Sequence, residues 1–378
     1  MATTTSDRTR RMQAFTALTG KTPQMRRVLQ VITPSHMSGA ETQLVRLTRR
    51  MRDRGHQMPV IVKHGSSAVP EMFNRGFEVE TAHIGGKFNA LAIPVIARAA
   101  KRHQAQITQS NLSTASWWCG WLEALGGPKS VGHVHGFTSA RWHRHQSHLL
   151  AVSGAVKDDL IRQGIAAEKI TVLWNALDAE EFRPQRDSLA VRSEFGADAN
   201  TPVIGTFGHL SIKKGQRELF GAIPTILKRF PTAQFWLIGQ GELRAELEAT
   251  ARAGGFFDNV RLAGYRRDAA DVMNALDIFC LPSHREPCAL VYVEAALLCK
   301  PIVACRAGGA PESIADGETG LLVPPKESAG LAEALLSLLE NCDVARRMGQ
   351  AGHDRACDIF TWSKYIATLE GVYDRVLG

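Results

Sequence analysis

The chain has 378 residues, of which 44% are hydrophobic and 22% charged, as in an ordinary globular protein. This length allows two domains with separate cores, because a single core rarely grows beyond ~300 residues. No apolar run approaches the ~18 residues that span a membrane, and the polar, Thr-rich start shows no secretory signal. The composition therefore argues against an integral membrane protein and predicts a cytoplasmic one.

The net charge of +8 is divided unevenly along the chain. Residues 1–185 contain 24 Lys and Arg against 13 Asp and Glu, whereas residues 186–378 contain 21 against 24. The basic first half indicates either an anionic partner, such as peripheral contact with an anionic membrane surface, or a solvated basic face. Nucleic acid is not expected, because no known binding motif accompanies the charge.

The seven cysteines show no paired spacing and no Cys-x-x-Cys motif, and most lie inside apolar segments. This pattern is typical of reduced, small core residues rather than of disulfides. The sequence also lacks an Asp-x-Asp triplet, so no metal site is predicted.

The predicted elements follow a regular alternation. Residues 1–25 are polar and basic without hydrophobic periodicity, and we predict a flexible tail there. From Arg27 onward, short apolar runs alternate with amphipathic stretches, which indicates a parallel sheet covered by helices on both faces. The predicted strands are 28–32, 59–62, 107–108, 130–135 and 149–152, and the predicted helices include 40–51 and 90–102.

The same alternation restarts in the second half, after a polar stretch at 180–200 that we interpret as a linker. The predicted strands are 203–207, 234–238, 260–262, 278–281 and 302–304, and an amphipathic helix covers 361–376. We therefore predict an α/β protein with Rossmann-like, parallel-sheet domains at 26–180 and 181–360, facing a central cleft, and a C-terminal helix in 361–378.

Two glutamates, Glu286 and Glu294, bracket the most informative segment of the chain. They flank the turn between an apolar strand and an apolar helix. A helix start presents unpaired N–H groups and a positive dipole end, so this turn is a ready site for phosphate oxygens. Carboxylates on either side could accept hydrogen bonds from sugar hydroxyls, which together suggests a sugar nucleotide. Alternatively, Glu286 caps the helix and Glu294 is a solvated helix residue.

The segment from Leu281 to Pro325 resembles the nucleotide-sugar-binding half of glycosyltransferase family 4, whose members are retaining enzymes of the GT-B fold. The matching residues, in order, are Pro282-Ser283, Glu286, Glu294-Ala295, Gly308-Gly309, Pro311-Glu312 and Thr319-Gly320-Leu321. The resemblance extends over nearly everything after residue 27. It implies that the first domain binds the acceptor, that the second binds the donor, and that the last helix crosses back to the first domain.

The resemblance implies several donor-binding residues. Lys214 matches the family lysine that clamps the diphosphate, but His209 stands where the family usually has Arg, which would weaken the clamp. Gly239 begins a Gly-x-Gly turn beside the nucleotide. Glu286 would bind the hexose and Glu294 the ribose. The phosphate turn itself would comprise Cys288, Ala289, Leu290 and Val291.

In the first domain, Gly39 matches a family glycine that lets the backbone approach a ligand, although Ser38 replaces its partner. His135, before Gly136, matches a family histidine near the hexose. We expect His133, two residues earlier, to point the opposite way, so that only His135 faces the ligand. The tryptophans at 117, 118 and 121 either pack in the core or form a wall of the acceptor site.

The predicted catalytic residues are His135, Lys214 and Glu286. The resemblance implies a metal-independent hexosyltransferase that uses a UDP- or GDP-sugar and no other cofactor. The acceptor would be a glycan or a lipid-linked molecule of cell-surface polysaccharide or lipopolysaccharide biosynthesis, reached from the inner face of the membrane. Alternatives are a non-catalytic sugar-nucleotide-binding scaffold, an epimerase or an inverting transferase. The sugar, the base, the acceptor and the linkage stay open.

Overall fold

The computed structural model describes residues 25–35, 39–74, 76–288 and 290–378. The predicted tail at 1–25 therefore lies, except for Met25, outside the described residues. The chain divides into two compact units. The first comprises the chain up to Trp174 together with Ile366–Gly378, and the second comprises Asn175–Tyr365.

The first unit is built on a seven-stranded parallel sheet with the order β3-β2-β1-β4-β5-β6-β7. Its strands are β1 Val28–Ile32, β2 Val60–Lys63, β3 Glu80–Ala82, β4 Ile107–Asn111, β5 Lys129–Val134, β6 His148–Ala151 and β7 Ile170–Val172. Its helices are α1 Gly39–Asp53, α2 Ala68–Asn74, α3 Ala92–Arg102, α4 Ser113–Ala124 and α5 Gly154–Arg162.

Helices cover both faces of this sheet, as strand β1 illustrates. All five of its residues are buried. Leu29 packs in a cluster with residues of α3 and α4, whereas Ile32 packs in another cluster with residues of α1. A strand buried on both faces reads as a continuous apolar run, which explains why the sequence pattern located it.

The second unit has a six-stranded parallel sheet with the order β10-β9-β8-β11-β12-β13. Its strands are β8 Val203–Phe207, β9 Gln234–Ile238, β10 Val260–Gly264, β11 Ile278–Leu281, β12 Ile302–Cys305 and β13 Gly320–Val323. Its helices are α6 Ser188–Glu194, α7 Gln216–Leu227, α8 Arg244–Ala253, α9 Ala269–Asn274, α10 Leu290–Leu297, α11 Ala310–Ser313, α12 Ser328–Glu340 and α13 Cys342–Ile359. A last helix, α14 Trp362–Leu377, belongs to the first unit from Ile366 onward.

Each sheet reverses its winding direction at one place. In the first unit this switch point lies between β1 and β4, and in the second unit between β8 and β11. The loops that leave the carboxyl ends of such neighbouring strands diverge to opposite faces of the sheet. Ligands of open α/β sheets bind in the resulting crevice, so the topology alone selects two loop pairs for inspection.

The predicted fold of two parallel-sheet α/β domains is confirmed, with several strands at their predicted bounds. Strands β3, β7 and β13 were not predicted; each is short and partly exposed, so none is a fully buried apolar run. The stretch 180–200, predicted as a linker, instead contains helix α6. Its Val191 is fully buried, and the guanidinium of Arg192 donates to Asp277 at 2.7 Å. Because the stretch is mostly polar, its sequence did not indicate these two contacts.

Among the described helices, none has the length and apolar character needed to cross a bilayer.

Candidate functional site

The candidate site of the second unit lies at its switch point, where two loops meet. The loop after β8 carries Lys214 and the loop after β11 carries Glu286. The ammonium of Lys214 donates to Oε2 of Glu286 at 2.6 Å. Their side chains are only 19% and 4% exposed. The structure thus joins two residues predicted separately, one for the phosphate and one for the sugar, into one largely buried ion pair.

Two glycines allow the glutamate loop to fit between its neighbours. Gly215 has a positive φ of 74°, and a Cβ there would overlap the carbonyl oxygen of Pro282. On the other side, Gly308 has a φ of 57°, and a Cβ would overlap the carbonyl oxygen of Glu286, which also accepts from the N–H of Gly309 at 2.7 Å. The backbone around Glu286 is therefore held from both sides.

A third contact between the two loops was not predicted. The backbone N–H of His284 donates to the carbonyl oxygen of Lys213 at 2.9 Å. The ring atom Nε2 of His284 lies 3.0 Å from Oε2 of Glu218, in the first turn of α7, and both side chains are largely buried. No sequence motif indicates this pair, because its partners are distant along the chain. The backbone hydrogen bond from His284 to Lys213 therefore joins the loop of Glu286 to the loop of Lys214.

The predicted phosphate turn leads into helix α10, which begins at Leu290. Leu290 and Val291 are half-buried, and their N–H groups belong to the positively polarised first turn. Ala289, predicted as part of this turn, lies outside the described residues. Burial raises the pKa of the Cys288 thiol to about 12, and the amide of Asn175 donates to its sulfur at 3.8 Å. A thiol with this pKa stays protonated near neutrality and is no nucleophile.

Glu294 lies in the second turn of α10 and is half-buried. The intervening residue Tyr292 is fully buried, and its hydroxyl donates to the carbonyl oxygen of Leu281 at 2.9 Å. This bond ties the helix to the end of β11 and sets its orientation relative to the loop of Glu286. The assignment of Glu294 to the ribose stays a prediction.

The loops after β8 and β9 pack against each other through glycine backbones. Gly208 and Gly239 have φ values of 144° and 142°, and a Cβ on Gly239 would overlap the carbonyl oxygen of Gly208. Packing alone therefore accounts for the glycine at 239. His209 follows on the same loop with 60% of its side chain exposed, and its Nε2 lies 3.0 Å from Oε2 of Glu242. A carboxylate beside this ring offsets the positive charge that a protonated histidine would present to a phosphate.

In the first unit, His135 lies just beyond the end of β5 and is half-buried. Its Nε2 lies 3.1 Å from Oδ1 of Asn111, the last residue of β4. Burial lowers the pKa of His135 to about 4, so the ring is neutral at pH 7. Asn111 was not predicted from the sequence, although a polar residue at the end of a strand beside the switch point could have been identified as a candidate site residue.

The expected orientation of His133 is wrong. Its ring lies beside that of His135, with centroids 4.0 Å apart. Residues two positions apart on a strand share a face, so the alternation of side chains in fact places His133 and His135 together, and the expectation misapplied this rule. Burial, and secondarily His135, lower the pKa of His133 well below its usual value.

Gly39 begins helix α1 directly after residues 36–38, which include Ser38 and lie outside the described residues. A Cβ at Gly39 would meet no atom within 4 Å. No neighbouring group of the described chain therefore requires a glycine at this position, and the proposed backbone approach to a ligand stays a prediction.

The three tryptophans of α4 divide between core and surface. Trp118 is buried, and its indole N–H donates to the carbonyl oxygen of Gly86 at 2.8 Å. Trp117 and Trp121 are only half-buried and contact each other edge to face, with centroids 5.7 Å apart. Across the described part of the chain, no group of three or more His, Cys, Asp or Glu residues could hold a metal ion.

Two family models match the chain. The model described as Glycosyltransferase Family 4 matches residues 37–181, and the model described as Glycosyl transferases group 1 matches residues 201–341. Together they span most of the sequence, the first match lying mainly in the first unit and the second within the second unit. The chain belongs to glycosyltransferase family 4.

Among curated members of this family, the D-inositol 3-phosphate glycosyltransferase of Corynebacterium kroppenstedtii is 34% identical over 60% of this chain and 52% of the relative. The lipopolysaccharide core biosynthesis glycosyltransferase LpsE of Rhizobium meliloti is 30% identical over 43% of this chain and 47% of the relative. The chain thus spans about half the length of these relatives.

The solved structure of Anabaena HepE in complex with UDP has a TM-score of 0.83 and 23% identity, over 92% of this chain and all of that chain. A further structure of the same protein contains UDP-glucose. This structural similarity shows that the chain has the GT-B fold.

Proposed function

We propose that the chain is a retaining glycosyltransferase that transfers a hexose-type sugar from a nucleoside diphosphate sugar to a glycan or lipid-linked acceptor. The observation that carries this proposal is the buried ion pair between Lys214 and Glu286 at the switch point of the second unit, beside the start of α10. A cation, a helix start and a carboxylate in one place suit a diphosphate attached to a sugar.

The proposed catalysis is mainly electrostatic. As the bond between the sugar and the phosphate breaks, negative charge grows on the diphosphate, and Lys214 and the N–H groups of α10 are preorganised to stabilise it. Glu286 would then accept hydrogen bonds from the hexose, Glu294 from the ribose, and His135 would contact a sugar hydroxyl. The leaving phosphate itself can take the acceptor proton. Neutralisation by these groups makes the proposed reaction independent of a metal.

The related proteins support a sugar nucleotide as donor but differ in what they act on. HepE binds UDP and UDP-glucose, which favours a UDP-sugar over a GDP-sugar. One relative acts on an inositol phosphate, and another functions in lipopolysaccharide core biosynthesis. A role in cell-surface polysaccharide or lipopolysaccharide biosynthesis is therefore part of the proposal.

The test is donor turnover by the purified chain. UDP- and GDP-sugars are screened first by thermal shift, because a ligand that binds only the native state raises its stability. Release of the nucleoside diphosphate is then measured with the binding donor. We expect turnover to fall at least about a hundredfold in Lys214→Met and to be retained in the adjacent control Lys213→Met. Equal activity of wild type and Lys214→Met would refute the proposed site.

A non-catalytic sugar-nucleotide-binding protein is the alternative. It is favoured by His209, which replaces the arginine usual in the family and is exposed beside Glu242. Tight binding of a sugar nucleotide without any hydrolysis or transfer would support this alternative over an enzyme.

We also propose that the first unit contacts an anionic membrane peripherally, which would place the enzyme at the inner face of the membrane beside a lipid-linked acceptor. Phe88 and Leu91 are 96% and 73% exposed on the loop before α3. Lys87 beside them and Arg141 both lie over the ring of Trp142, at 3.8 and 4.0 Å. Exposed apolar side chains with adjacent cations suit insertion between anionic headgroups.

Vesicle binding tests this contact without any turnover. The full chain is sedimented with vesicles of phosphatidylcholine alone or mixed with phosphatidylglycerol. We expect binding only to the mixed vesicles, and a loss of about tenfold in affinity for the Phe88→Ala/Leu91→Ala variant. Leu125→Ala, whose side chain is 68% exposed in the same unit, is the matched control. An equal loss in both variants, or no binding at all, would refute the contact.

A further inference from the structure

A chain of buried hydrogen bonds crosses the first unit from helix α14 to His135. The hydroxyl of Tyr373 donates to Oε1 of Gln109. The same oxygen accepts from Nε2 of Gln30 at 3.2 Å. Nδ2 of Asn111 donates to Oε1 of Gln30 at 3.2 Å, and Oδ1 of Asn111 lies 3.1 Å from Nε2 of His135. Every member before His135 is at most 1% exposed.

These polar side chains occupy the centre of the sheet, where apolar side chains could be buried without the free-energy penalty of removing polar groups from water. Gln30 on β1 and Gln109 on β4 are direct partners in the strand register, and Asn111 ends β4. Burying an amide costs free energy unless its hydrogen bonds are made. Three buried amides at the switch point, linked to one another and to a histidine, therefore indicate a role other than packing.

The direction of these hydrogen bonds, from donor to acceptor, determines which ring nitrogen of His135 is protonated. Asn111 uses its amide N–H toward Gln30, which leaves its oxygen for His135. With the amides in this orientation, Asn111 presents an oxygen to the ring, and because an oxygen only accepts, Nε2 of His135 carries the proton. In a neutral imidazole with Nε2 protonated, Nδ1 is the sole remaining hydrogen-bond acceptor.

Burial supports the neutral form, because it lowers the pKa of His135 to about 4. The titratable group in ring contact with it is His133, whose pKa is lowered further still. Neither ring contributes positive charge near pH 7, so the tautomer decides what His135 presents to a substrate.

We propose that Asn111, Gln30, Gln109 and Tyr373 are positioning residues that hold His135 as the Nε2–H tautomer and present Nδ1 to a hydroxyl of the sugar substrate. This inference rests on the proposed function for the identity of the substrate, whereas the tautomer itself does not depend on it. The C-terminal helix thereby contributes to the candidate site through Tyr373, without contacting His135 directly.

The tautomer is measured by NMR on the full chain labelled with ¹⁵N-histidine, with the His135→Gln variant assigning the signal. We expect the nitrogen shifts of an Nε2–H imidazole in wild type and an altered tautomer distribution in Asn111→Leu. An Nδ1–H tautomer in wild type, or an unchanged signal in Asn111→Leu, would overturn the proposal. This readout stands even if the chain transfers no sugar, so the two failures are distinguishable.

Turnover supplies a second readout. In Asn111→Leu we expect kcat to fall about 10- to 100-fold, because misplacing a substrate-positioning group by ~1 Å can cost ~10²-fold. In Asn111→Asp the new carboxylate raises the pKa of His135, so the ring becomes protonated, and activity is lost, at a higher pH than in wild type. We expect the acid limb of the kcat–pH profile to move up by about one pH unit or more. A purely structural role would lower activity only with the folded fraction and leave the pH profile unchanged.

Tyr373→Phe tests the far end of the chain. We expect a shift of the His135 signal and a severalfold lower kcat. The control is Tyr365→Phe on the same helix, since Tyr365 is also buried but its hydroxyl has no hydrogen-bond partner among the described residues. Both variants are checked for folding by circular dichroism. Identical NMR and kinetic behaviour of the two variants would contradict a contribution of Tyr373.

Discussion

Replacing Lys214 by methionine should destabilise the second unit markedly, because it leaves the carboxylate of Glu286 buried without its partner. Removing one member of a fully buried ion pair costs about 3–5 kcal/mol. Lys214 is 19% exposed and Glu286 4%, so water reaches the pair from the lysine side, and we reduce the expected cost to about 2–3 kcal/mol. For a unit of this size, that cost corresponds to a decrease in Tm of about 5–10 °C.

The assay is thermal and urea unfolding of the full chain with and without UDP. Arg217→Met is the matched control, because Arg217 and Glu246 lie as close, at 2.6 Å, but are 46% and 45% exposed. We expect the control to unfold close to wild type, since exposed pairs contribute little. Equal destabilisation by the two substitutions would refute the reasoning from burial. A double variant, Lys214→Met with Glu286→Gln, should recover part of the loss, because the unpaired charge is then absent.

Three further predictions concern single positions. Gly215→Ala should lower the free energy of unfolding by about 3 kcal/mol, because its Cβ would overlap the carbonyl oxygen of Pro282. Gly255→Ala, at a residue with a similar φ of 73° but open space around it, should lower it by about 1 kcal/mol, and urea unfolding compares the two variants. Cys288, with a thiol pKa of about 12, should resist iodoacetamide at about pH 8 while exposed cysteines react, and peptide mass spectrometry reads the result. His209→Arg should raise the affinity for UDP about three- to tenfold by calorimetry, because guanidinium is permanently charged and planar; no gain would place residue 209 away from the phosphate.

The sheets were predictable from sequence because buried parallel strands are continuous apolar runs. Strands β8, β9 and β11 have their predicted bounds, and each is buried along its whole length. Short or partly exposed strands such as β3 lack that signal. Helix α6 was missed for the opposite reason, because its sequence is polar except for a few anchoring positions.

The motif residues were predictable one by one, but their partners were not. Lys214 and Glu286 were assigned to different parts of a ligand, and only the structure shows them bonded to each other across 72 positions. The pair of His284 and Glu218 carries no motif at all. The expected orientation of His133 failed because residues two positions apart on a strand share a face, so His133 and His135 should have been placed together. Which side chains of distant loops come into contact depends on where those loops meet in the fold. The hydrophobic periodicity that locates strands and helices gives no information about loop positions.

The two switch points differ in electrostatic character, and this difference constrains what each can bind. In the second unit Glu286 offsets the charge of Lys214, so the positively polarised start of α10 beside this pair is the group that suits an anionic ligand. The first unit presents a neutral histidine joined to amides, and these groups suit a neutral, hydroxyl-bearing ligand. A diphosphate bound at the first switch point would meet no counter-charge from His135, since its pKa of about 4 keeps the ring neutral. The charge distribution therefore favours the second unit for the donor diphosphate, on grounds independent of any family motif.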